Sequence, residues 1–317
     1  MANISFATPS VTSKITAVSG GSWLDGWPLS SAVMWPDVGL GYPAQSEDAT
    51  EASTQGLFVF DATLPVSVIA LINHNLTNDA VWKATFYSDA AGTVPVNATD
   101  DTEAWGIVKP YGTAPWGTPE WWGGKPGPET RAAFVPTTIA TLSGLTLARS
   151  FRLEISDTGN PDGRVRIGHI EVAQQWRSSK NFDYGNNLGF RNRALETEAA
   201  GGAIYGEKRR NPRTFQGVIR NLPRDEAFGQ ALDMQRQLGT VDPVLVQINP
   251  DDVVNRQRLT MLARLRFPIP RLRNSAGKTP PATPRACVTP CRTTPCCASA
   301  WPRKSPPRAA TPALLSR

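Results

Sequence analysis

"FDATLPVSVIALINHNLTNDAVWKATFYSD" (60–89) decides how the fold is read. Its segment "PVSVIALI" (65–72) is apolar at nearly every position, as expected of a strand buried on both faces in the middle of a sandwich. "AVWKATFY" (80–87) alternates instead. Trp82, Ala84 and Phe86 share one face, with Lys83 and Thr85 on the other. Between the two runs stands Asn73-His74-Asn75. Asn tolerates positive φ, and its side chain bonds nearby backbone. The triplet is therefore read as a structural corner, with polar ligand contact at a loop end as the alternative.

Outward from this stretch, "GLFVFD" (56–61) reads as a strand, and "SFRLEIS" (150–156) places Phe151, Leu153 and Ile155 on one face. "DTGNPDG" (157–163) is dense in turn formers. "RVRIGHIEV" (164–172) changes phase at Gly168-His169, which predicts a β-bulge. No helix is expected before residue 175. These short strands predict a mainly β protein whose residues 1–175 form a jelly-roll β-sandwich. A smaller β-rich α+β domain is expected over 176–266. It has strands at 213–222, 242–252 and 258–266 and a helix at about 223–239. That helix starts at Pro223, has Asp225 and Glu226 in its first turn and stops at Gly239. Its apolar face is expected to carry Phe228, Ala231, Leu232 and Leu238.

Residues 267–317 differ in kind. They hold eleven Pro, nine Lys/Arg and no Asp or Glu. Such a segment cannot bury a core and is expected to be disordered. It reads either as a basic linker or nucleic-acid-binding tail, or as a GC-rich gene translated out of frame, and the abrupt break favours the last. The net charge of +6 comes from this segment, since residues 1–266 carry 24 basic and 27 acidic side chains. No specific nucleic-acid partner is expected. All four cysteines, Cys287, Cys291, Cys296 and Cys297, lie there too, in a spacing that fits no usual zinc site. The start predicts no signal peptide, and no apolar run approaches the ~18–20 residues of a membrane span.

The histidine supply is small for catalysis: His74 lies in the corner and His169 among aliphatic neighbours. A glycosidase would need two carboxylates, for which Asp100, Asp101, Glu103, Glu120 and Glu129 are the candidates. Acids on a Gly/Pro-rich loop are more often solvated. Phosphate-loop, HExxH and EF-hand patterns are missing. "DTGNPDG" has the acid spacing of a Ca²⁺ loop but reads better as a plain turn. No catalytic residue, metal site or cofactor is expected. The insertion at 100–135 carries four Trp. Of these, Trp116, Trp121 and Trp122 are the candidate ligand contacts, through stacking on sugar rings.

The 60–89 stretch resembles galactose-binding-like (discoidin-type) jelly-roll domains in tail proteins of long-tailed bacteriophages. "RSFRLEISDTGNPDGRVRIGHIEVAQQW" (149–176) is similar to the closing strands of the same domain. "RRNPRTFQGVIRNLPRDEAFGQALDMQRQLGTVDPVLVQINPDD" (209–252) resembles the domain that follows it in minor tail or tail-tip proteins. The resemblance implies a non-enzymatic structural component of the virion tail or baseplate, assembled in the bacterial cytoplasm. It implies other tail proteins and copies of the chain itself as partners, in a homo-oligomer. It also implies an architectural corner in which Asn73, His74 and Asn75 satisfy backbone groups. The alternative is a carbohydrate-binding module that contacts host-surface glycans through the Trp-rich loop.

Overall fold

The computed structural model describes residues 3–110, 112–207, 209 and 211–266. The disordered tail expected over 267–317, with its cysteines, lies outside the described residues. In chain order the strands are β1 (Ser5–Ser10), β2 (Ile15–Ser19), β3 (Ala44–Gln45), β4 (Gly56–His74), β5 (Val81–Tyr87), β6 (Pro95–Ala98), β7 (Thr102–Glu103), β8 (Thr137–Ser156) and β9 (Arg166–Arg177). They continue with β10 (Asn187–Phe190), β11 (Leu195–Glu198), β12 (Ile204–Glu207), β13 (Arg213–Gln216), β14 (Pro243–Gln247) and β15 (Thr260–Arg264).

All strand pairs are antiparallel, and two long strands generate both layers of a jelly-roll sandwich. The first part of β4 lies between β2 and the second part of β8, which in turn pairs with β5. β6 and β7 both pair with β5. The second part of β4 lies between the first part of β8 and β9, as expected of a central strand. β9 is followed by β1, β14 and β15. The register of β4 against β8 shifts between Val59 and Leu64 and again between Val66 and Val68. There the chain passes from one sheet to the other. The "DATLP" that separates the two expected strands marks this crossing.

The alternating residues of the two sheets meet in one core. Phe58 stacks on Phe151 with ring centroids 4.6 Å apart, and Phe60 and Phe86 also touch Phe151. Ile69, Leu71, Ile170 and Val172 come from the opposite layer, and Trp82 lies in the same cluster. Each such side chain contributes roughly 1.5–3 kcal/mol on burial. The Trp82 indole N–H donates to Thr138 Oγ1 at 3.0 Å, so the ring is buried without an orphaned donor.

Three expectations need correction. Short helices occur before residue 175, at Pro36–Gly41, Glu51–Thr54 and Pro128–Ala132. The bulge at Gly168-His169 is not formed, because β9 pairs with β4 in one unbroken register from Ile167 to Ala173. The irregularity lies on β4, where Asn73 has φ +58° opposite Gly168. A Cβ on Gly168 would lie 2.8 Å from Asn73 Cβ, which is why glycine stands there. The helix over 223–239 forms and buries Leu238 as expected, but Ala227–Leu232 adopts π-type winding, which turns Phe228 and Leu232 outward. Phe228 and Leu232 are exposed, whereas Met234 and Leu238 pack on Ile4, Phe6, Val244 and Val246.

Strand pairing crosses position 175, since β14 joins the sandwich through β1, with Phe6 opposite Val246. Residues 187–216 leave this body as two successive two-stranded ribbons, β10 with β13 and β11 with β12. Their root is fixed by Phe182 edge-on to Phe215 at 4.7 Å.

Candidate functional site

Most polar groups of the Asn73-His74-Asn75 corner are paired within the protein, while His74 Nε2 is buried without a partner. Asn73 N–H donates to the Pro136 carbonyl at 2.7 Å. The Asn75 amide group donates to Asp162 Oδ2 and to the Arg164 carbonyl, both at 2.9 Å, and its Oδ1 accepts the Arg166 N–H at 2.7 Å. His74 is 4% exposed, lies edge-on to Trp105, and accepts the Leu76 N–H on Nδ1 at 3.3 Å. Burial pushes its pKa down to about 3, so the ring is neutral at ordinary pH. His169 is also buried, with Nε2 3.0 Å from Glu171 Oε2.

The turn "DTGNPDG" clamps this corner from the other side. Asp157 is buried and accepts Thr77 N–H at 3.1 Å, Thr77 O–H at 2.5 Å and the Asn160 amide at 2.8 Å. The Asn160 amide also donates to the Asn75 carbonyl. The carboxylate that matched a Ca²⁺ loop is thus occupied by protein donors, and no cluster suited to a metal is found among the described residues.

The insertion between β7 and β8 is tied to the same corner. The Trp105 indole N–H donates to the Leu76 carbonyl at 2.8 Å, and the Asn78 amide to the Pro126 carbonyl at 2.9 Å. Lys125 Nζ donates to the Asn78 carbonyl and pairs with Glu103 at 3.4 Å. Glu120 fixes the loop internally. It is buried, and its Oε1 accepts Gly127 N–H at 3.1 Å and Thr130 O–H at 2.9 Å. Lys109 stands 3.7 Å from its other oxygen. The Gly127 hydrogen bond, then Thr130 and Lys109, hold its carboxyl below the usual carboxylate range.

A glycosidase acid needs a raised pKa, the opposite of what Glu120 has. Of the other loop acids, Asp100, Asp101, Glu103 and Glu129 are all exposed. Glu120 is therefore an anchor of the loop.

What Glu120 anchors is an aromatic surface. Trp116 lies 5.0 Å from Trp121 and 6.2 Å from Trp122, so the structure brings together all three tryptophans singled out in the sequence. Trp116 and Trp122 are 77% and 78% exposed, and Trp121 is half-buried. A core would have hidden these rings. Here they cluster at the surface of a loop held by charge-assisted hydrogen bonds to Glu120.

Beside the corner, a cleft of about 370 Å³ is lined by Thr77, Asn78, Asp79, Arg131, Asp157 and Thr158, among others. None of the three tryptophans lines it, although Arg131 comes from the same loop. Sequence reading missed Arg131, Asn78 and Asp157. The only signal was that "DTGNPDG" and the corner both terminate strands of one sandwich end.

No known protein family matches the chain by sequence, and no curated protein matches it either. Among solved structures it is similar to the family 32 module of Clostridium perfringens NanJ in complex with galactose, at 14% identity and TM-score 0.34, covering 54% of this chain and 99% of that one. It is similar to chitosan-binding module 1 of a Paenibacillus sp. IK-5 chitosanase/glucanase, at 12% identity and TM-score 0.33, covering 52% and 99%. The family 32 carbohydrate-binding module of Streptococcus pneumoniae EndoD gives 15% identity and TM-score 0.32, covering 52% and 99%. These neighbours are family 32 and chitosan-binding modules, and none of the three is a tail protein. The jelly-roll sandwich of this chain rests on its own strand pairing and core, described above.

Proposed function

We propose that the protein is a non-catalytic carbohydrate-binding protein whose contact surface is the Trp116–Trp121–Trp122 platform. One observation carries this reading: two large indoles stand mostly in solvent on a loop fixed by a buried hydrogen bond from Gly127 N–H to Glu120. Exposing them costs hydration free energy unless a ligand covers them, and the apolar face of a pyranose is a fitting cover. The rigid anchor keeps the ordering cost of binding low. The test is a glycan array with the full chain, repeated with Trp116→Ala and Trp122→Ala. Each substitution is expected to lower affinity by about tenfold, as loss of ~1.4 kcal/mol would give. Retention of the same glycan profile by both variants would overturn the reading.

A second reading is a structural component of a phage tail that acts by assembly with other tail proteins and with itself. The comparisons lend it no support. It is favoured by the arm at 187–216. A lone two-stranded ribbon is marginal in water, yet one of the two exposes Phe190 and the other Leu195, Ile204 and Tyr205. Interfaces are enriched in such residues. Sedimentation of the chain with and without residues 187–216 tests self-assembly. A monomer in both cases would remove it.

A further inference from the structure

The insertion between β7 and β8 carries three cationic side chains near the corner: Lys109, Lys125 and Arg131. Two are matched to carboxylates, Lys109 to Glu120 at 3.7 Å and Lys125 to Glu103 at 3.4 Å. Arg131 lies half-buried in the wall of the 370 Å³ cleft, and its guanidinium has no carboxylate or hydrogen-bond partner among the described residues. Glu129, two positions away on the same helix, does not share its face. Asn78 also lines the cleft; its side-chain oxygen is buried and unpartnered, and its amide is spent on the Pro126 carbonyl. Asp79 and Thr158 add an exposed carboxylate and a hydroxyl to the rim. Asp157 is fully engaged inside the protein and is not available to a ligand.

We propose that this cleft is a subsite for an acidic sugar, a pyranose bearing a carboxylate, and that Arg131 is the residue that selects it. This rests on the carbohydrate reading above. A planar guanidinium matches a carboxylate with two parallel hydrogen bonds, which a neutral hydroxymethyl group cannot accept in the same way. The exposed Asp79 carboxylate and Thr158 hydroxyl on the rim take hydroxyl protons on the ring. Asp79 also keeps the cleft from attracting any small anion, since a bare carboxylate would gain Arg131 and face Asp79 with no hydroxyl to bridge them. The ligand recognised is thus a hydroxylated acid and not an anion as such.

The experiment is calorimetric titration of the full chain with galacturonate, galactose and acetate, for the wild type, Arg131→Ala and Arg131→Lys. The wild type is expected to bind galacturonate about tenfold more tightly than galactose and to ignore acetate. Arg131→Ala should bring galacturonate down to the galactose level, with Arg131→Lys between them. Because the Arg131 guanidinium has no hydrogen-bond or ion-pair partner among the described residues, thermal denaturation of both variants should stay close to the wild type. Equal affinity for the two sugars in the wild type, or a preference that survives in Arg131→Ala, would overturn the proposal. Galactose binding lost on Trp116→Ala but blind to the carboxylate would defeat this subsite alone. No binding of any saccharide would defeat the carbohydrate reading with it.

Discussion

Replacing Glu120 by alanine should release the tryptophan loop without unfolding the sandwich. The side chain holds Gly127 N–H and Thr130 O–H on one oxygen. A hydrogen bond to a charged group contributes about 1.5 kcal/mol at the low end, so their joint loss costs about 3 kcal/mol. The Lys109 contact is long and partly solvated, and it adds little. At ~1.4 kcal/mol per factor of ten, the loop's open population rises by about two orders of magnitude. Glu120→Gln keeps the same oxygen as an acceptor and loses only the charge, so about one order is expected. Amide hydrogen exchange reads this directly. Gly127 should exchange about 100-fold faster in Glu120→Ala, while Ile69 in the central strand changes little, because loop opening is local. Gly127 exchange within threefold of the wild type would refute the anchoring role.

The same carboxylate gives a pH dependence. Its folded pKa is depressed, so its contribution is complete above the ordinary carboxylate range and lost as pH falls through the lower folded value. Loop tryptophan fluorescence should change in acid before β-sheet circular dichroism does. His74, held neutral with a pKa of about 3, destabilises the fold progressively as pH falls from ~6.5, where the unfolded chain takes up the proton, to about 3. Its ring resonances should stay flat from pH 8 to 5, and titration near 6.5 would contradict its burial. Gly168→Ala should cost roughly 1–3 kcal/mol in urea unfolding, because the new methyl meets Asn73 at 2.8 Å. Asn73→Gly should be nearly neutral, since φ +58° suits glycine.

The sandwich was legible because burial leaves a period in the chain. "AVWKATFY" alternates since one face of β5 meets the core, and "PVSVIALI" does not since β4 is buried on both faces, with Ile69 and Leu71 in one cluster and Val68, Ala70 and Ile72 in another. The first part of β8, "TTIATLSG", escaped notice because its Thr and Ser positions weaken the apolar pattern. The apparent phase slip at Gly168-His169 was a true signal placed on the wrong strand. Asn73 takes up the left-handed conformation, and Gly168 is small to make room for it.

The three tryptophans could be singled out from the sequence as rings able to stack on sugars, but not told apart from rings that the fold buries, as it does Trp105. The roles of Glu120, Asp157 and Arg131 could not, because each depends on where a distant backbone passes. Among the loop acids, Glu120 differs from Glu129 only in what the fold places around it.

The most direct test of the carbohydrate-platform account is indole N–H chemical-shift mapping during titration with the glycan selected on the array. Trp116 and Trp122 resonances should move together along one saturable curve, while those of buried Trp82 and Trp105 stay in place. Saturable binding that leaves Trp116 and Trp122 unmoved, or the lack of any saturable glycan, would contradict it.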